Sequence, residues 1–157
     1  AMGAAANVTG KGSFLTYQGK DYPLSPWNYN VQGDFELHLE KEARKHLREA
    51  CRELPPNEAA DLRREVMQDI TTGVYSFGSV AEMRAVVTPR HMPYLLYLQL
   101  REAASKEDRP LITPELARQM AEELGADECL DAMVAANPPK PPKNSAEAPT
   151  IPATSMM

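Results

Sequence analysis

Apolar positions recur at helical spacing along most of this chain. From Trp27 they fall at Val31, Phe35, Leu39, Ala43, Leu47 and Ala50, three or four residues apart, which predicts one long amphipathic helix. Ser25-Pro26 reads as its start, a capping hydroxyl before a proline at the first helical position. Gly33 weakens the pattern, so a start near Asp34 is the alternative. Leu54-Pro55-Pro56 ends it. Ala59, Leu62, Val66, Met67 and Ile70 mark a second helix, capped by Asn57 and closed by Thr71-Thr72-Gly73. Ser79 and Glu82 have the spacing of a capping box and open a short third helix to about Ala85. Pro93 opens a fourth, ending near Ala104. It is apolar almost all round (Tyr94, Leu95, Leu96, Tyr97, Leu98, Leu100), which marks the centre of the core. Thr113-Pro114-Glu115 opens a fifth helix with Leu116, Met120 and Leu124 on one stripe. After Gly125, Asp127 opens a sixth carrying Leu130, Met133 and Val134.

Before these helices the period changes. Phe14 to Tyr17 and Tyr22 to Leu24 flank Gln18-Gly19-Lys20-Asp21, which predicts a β-hairpin. Pro23 cannot donate to a ladder, so the second strand belongs at an edge. The expected fold class is therefore all-α, five to six helices with a small N-terminal β-hairpin. Residues 1–12 are small and polar and predict a disordered N-terminus, in which Ala1-Met2-Gly3 reads as a cloning remnant. Residues 13–136 form a single helical domain with its hairpin. Residues 137–157 hold six prolines and one branched aliphatic, Ile151, which predicts a disordered Pro-rich tail that cannot offset its ordering entropy. Its PxxP spacing between Pro138 and Pro142 also suits an SH3-type groove.

Charge narrows the function. The 157 residues carry 17 basic and 22 acidic groups, a net charge of −5, which argues against a nucleic-acid partner. The nearest approach to a basic stripe is Arg44, Lys45, Arg48 and Arg52, interleaved with Glu42, Glu49 and Glu53. No apolar run is long enough to cross a bilayer, and no basic leader with a long apolar stretch follows the N-terminus. The expected location is the cytosol, where Cys51 and Cys129 would be free thiols.

Candidate chemistry is sparse. His38 and His46 sit two turns apart on the first helix and His91 lies in a loop, with no zinc-ligand spacing among them. Carboxylates alternate with Lys and Arg on helix faces rather than standing in pairs that separate their pKa values. The glycine signatures of phosphate loops and nucleophile elbows are missing. An enzyme built on this chain would have to gather Tyr75, His91 and nearby carboxylates in a polar cleft. The expectation is a non-enzymatic protein-binding module that needs no cofactor and no metal. Its candidate partner-binding residues are Tyr94, Tyr97, Leu98, Met120, Leu124, Leu130 and Met133. Flexible, polarizable methionines line surfaces that hold varied apolar helices, although Met equally fills irregular cores.

The stretch Thr16-Tyr17-Gln18-Gly19-Lys20-Asp21-Tyr22-Pro23-Leu24-Ser25-Pro26-Trp27 resembles the opening of small proteins encoded in phage and prophage tail modules. Tyr75-Ser76-Phe77-Gly78-Ser79, Tyr94-Leu95-Leu96-Tyr97-Leu98 and Ile112-Thr113-Pro114-Glu115-Leu116 are similar in kind and order, so the resemblance spans about residues 14–135. It implies a tail-assembly chaperone of long-tailed phages. Such a protein is helical, coats the aggregation-prone tape-measure protein and helps recruit tail-tube subunits; self-association along the client is a further expectation for this chain. In that family a longer form arises by frameshifting, and the repeated Pro-Pro-Lys at 138–143 permits a slippery codon run. The alternative is a small phage or bacterial regulator that docks on a host protein and inhibits it.

Overall fold

The computed structural model describes residues 6–9 and 12–137. Among them are three strands, β1 (Ala6–Thr9), β2 (Gly12–Tyr17) and β3 (Lys20–Leu24), followed by six α-helices. These are α1 (Tyr29–Cys51), α2 (Pro56–Thr71), α3 (Val80–Val86), α4 (Met92–Ala103), α5 (Pro114–Leu124) and α6 (Ala126–Ala135). The fold is all-α with a small antiparallel N-terminal sheet, as the periodicity predicts.

The sheet runs in the order β1-β2-β3. Gln18 and Gly19 take positive φ, 50° and 78°, the sign pattern of the two-residue turn whose twist matches paired strands. It sets Leu15 opposite Tyr22 and Phe14 opposite Pro23, and Pro23 lies on the edge strand as its missing N–H requires. Strand β1 corrects the expectation of disorder through residue 12. Its backbone completes the ladder that β2 would leave open on one side, and α6 packs against it.

Helix α1 starts neither at Ser25 nor at Asp34. The Ser25 backbone is committed to α4: its N–H donates to the Gln99 carbonyl at 3.0 Å, and its carbonyl accepts from Gln99 Nε2 at 2.9 Å. The cap passes to Asn28, whose Oδ1 accepts the Val31 N–H at 2.9 Å, and Gly33 is absorbed inside the helix. Ser79 and Thr113 cap α3 and α5 as predicted, accepting from Glu82 N–H and Leu116 N–H. Helix α2 begins on Pro56, with Pro55 before it and no side-chain cap. Gly125, at φ 96°, both ends α5 and starts α6.

The core is formed by Leu15 and Tyr17 of β2, Val31, Phe35 and Leu39 of α1, and α4, which buries Leu95, Leu96, Leu98 and Leu100. Helices α5 and α6 close it with Ala117, Met120, Cys129, Ala132 and Met133. Asn137, expected at the head of the tail, is pinned instead. Its side chain accepts the Trp27 N–H and donates to the Met133 carbonyl at 2.9 Å. The rest of the predicted tail lies outside the described residues.

Candidate functional site

The long helix outruns the core. Its first half buries Val31, Phe35 and Leu39, whereas in its second half only Leu47 is buried. There α2 folds back, packing chiefly against α1 and fully burying only Ala59. Helix α3 stands across from this pair on α4. The loop before it is held by the Phe77 N–H donating to Glu36 Oε1 at 2.6 Å and by Trp27 edge-on to Phe77 at 5.7 Å. Glu82, buried, accepts the Gly78 N–H at 3.3 Å. Burial pushes its carboxyl above the usual range.

An open groove of about 500 Å3 remains between the three helices. Leu39, Ala43, Leu47 and Ala50 of α1, Leu62 and Val66 of α2, and Ala81 and Ala85 of α3 line it. Glu42, His46, Tyr75, Arg84, Thr88 and His91 stand around them. On α3 and its C-terminal cap the next face over carries Val80, Met83 and Val87, 66%, 63% and 62% exposed. A seven-residue helix thus presents apolar side chains both to the groove and to solvent.

The residues that sequence alone nominated for partner binding lie elsewhere. Leu98, Met120 and Met133 are fully enclosed in the core and have no surface to offer, so the expectation of an exposed Met-bearing groove on the last two helices is corrected. Leu124 and Leu130 pack half-buried against the same core. Tyr94 stacks on His38 at 4.0 Å and 8°, and Tyr97 lies beneath the Arg101 guanidinium, which pairs with Asp34 at 2.7 Å. Both tyrosines form a seam joining α4 to α1. Among the described residues the exposed methionines are Met67 and Met83. A visible signal existed: the α2 stripe and the apolar surround of α3 are plain in the sequence, but which core they face is not.

His38 Nε2 lies 3.2 Å from His91 Nδ1. Burial first, and the neighbouring His91 second, push the His38 imidazole down to about 4; burial likewise lowers His91. Both rings are neutral near pH 7 and share a single proton bridge. Tyr75 and His91 do meet Glu42 at the groove, the gathering an enzyme would need. No hydrogen bond links the three among the described residues, and burial raises the Tyr75 phenol, leaving it protonated. They stand around the apolar lining of the groove. No cluster of three or more metal-ligating side chains occurs among the described residues, and none of their helices is long and apolar enough to cross a membrane. Cys129 and Cys51 are free thiols.

No protein-family model, curated protein or solved structure matches the chain.

Proposed function

We propose that this protein holds an apolar amphipathic helix of another protein in the α1–α2–α3 groove, and that it serves as a phage tail-assembly chaperone for an aggregation-prone tape-measure protein. The observation that carries the holding role is the open apolar groove itself. Its walls are aliphatic and alanine side chains from three helices, and it continues onto the exposed Val80, Met83 and Val87. A helix docked there would remove apolar area on both partners from water, at about 25 cal/mol per Å2. Alanines at 43, 50, 81 and 85 leave room for the larger side chains of a guest. The tail-module identity rests on the motif resemblance between residues 14 and 135, and the net charge of −5 helps keep the free protein dispersed. Tail-tube protein is a second client in this reading.

Co-expression with a tape-measure protein tests it. The parent chain should raise the client's soluble fraction, and Val66→Glu, which places a charge on the groove wall, should remove most of that gain. Ala81→Trp, which fills the groove without adding charge, should act the same way, provided circular dichroism shows both variants folded. Rescue undiminished by either substitution, or no rescue by the parent, sinks the proposal. A single tight one-to-one complex with a host enzyme would favour the inhibitory regulator instead.

A further inference from the structure

The α1–α2 hairpin has a second hollow, separated from the apolar groove by Leu47, which lines both. Leu62 and Val66 look into the first; Arg63 and Met67, each one residue further along α2, line the second. From α1 and its C-terminal cap come Arg44, Arg48 and Arg52, one per turn, with Cys51 just before the last. The hollow measures about 410 Å3 and none of its lining residues is acidic. None of the four guanidinium groups has a carboxylate within ion-pair distance among the described residues. An acidic protein has therefore gathered four guanidinium groups, none of them in a direct ion pair, over an apolar floor of Leu47, Cys51 and Met67.

The complementary surface is on the same chain. Helices α5 and α6 carry Glu115, Glu122, Glu123, Asp127, Glu128 and Asp131 against one base, Arg118, which is itself paired with Glu115. On α6, Asp127 and Asp131 are exposed at i and i+4, and Val134, one turn further, is 51% exposed. The two carboxylates are about 6 Å apart along the helix axis, the same rise that separates Arg44 from Arg48. We infer that the arginine-lined hollow of α1–α2 receives the Asp127–Asp131–Val134 face of α6 from a second copy of this chain. The two surfaces differ, so the contact is head-to-tail and repeats from copy to copy unless its rotation closes a ring. Nucleic acid is the less favoured occupant, because no aromatic side chain lines the hollow to stack on a base. The inference is independent of what the apolar groove holds.

Sedimentation velocity of the full chain tests it. The weight-average mass should rise with concentration at about 50 mM salt and fall back towards the monomer at about 500 mM, as expected for partly exposed ion pairs. Arg48→Glu with Arg52→Glu should weaken association at least about 10-fold, and Asp127→Lys with Asp131→Lys should do the same. Mixing the two double variants should restore complexes, because each supplies a surface the other can use. A monomer at every concentration overturns the inference, as does failure of the mixture to associate while both variants keep the parent circular dichroism. RNA binding that is lost with the arginines, without self-association, assigns the hollow to nucleic acid and overturns it as well.

Discussion

The two halves of α1 live in different surroundings. Around its first half, the sheet and helices α4, α5 and α6 enclose Phe35, Leu15, Leu95, Leu96 and Met120 completely. Around its second half only α2 and α3 are at hand, and Leu62, Val66 and Ile70 stay half-buried. The same helical stripe therefore does two jobs. Where other elements converge it becomes core; where they do not, it is left as a surface for a guest. Stability belongs to the body, and both hollows belong to the arm.

The sharpest way to break this division is to truncate one leucine in each region. Leu95→Ala, in the packed body, should cost about 3 kcal/mol by urea unfolding, since the cavity cannot collapse. Leu62→Ala, on the open groove wall, should cost about 1 kcal/mol or less, because that side chain is only partly removed from water. Equal losses would mean the arm is packed as tightly as the body.

The seam between the two regions titrates. An unfolded His38 binds a proton below about 6.5, whereas the folded one resists until about 4. The unfolded state therefore holds more protons in that window, so stability falls as pH drops from 6.5 to 4 and levels off below it. The half-exposed ring limits the effect to about 1–2 kcal/mol. His38→Phe keeps a ring against Tyr94 and should flatten the stability profile across that window. An unchanged slope would remove His38 from the account.

The smallest effect concerns the helix that links them. A Cβ at Gly33 meets no atom within 4 Å, so Gly33→Ala should stabilise by about 0.5–1 kcal/mol in thermal unfolding. Destabilisation would show that α1 bends there rather than running unbroken from body to arm.

Much of this architecture was legible before any coordinates. Hydrophobic spacing together with capping and proline signals located all six helices, and Ser79 and Thr113 cap where their spacing predicted. Gly19 marked the hairpin turn, and Pro23 announced an edge. Two things were not. Strand β1 is only four residues long, too short for its alternation to stand out, and is held by pairing with β2. The binding residues were misplaced for a related reason: Met120 and Met133 look like groove methionines until α5 and α6 are seen to close over them. Met83 and Val87, on a helix too short to show a clear stripe, turn out to be the exposed ones.

Local sequence determined where the backbone coils, turns and stops, because capping, proline and glycine preferences and the 3.6-residue period act within a few neighbours. Only the tertiary structure decided which apolar stripes become core and which stay open. That outcome depends on how many elements converge on each face, and convergence is set by loops and distant pairings such as Ser25 with Gln99. It is also what brought Arg63 beside Arg44, Arg48 and Arg52, since four like charges from two helices share a hollow only once α2 folds back along α1.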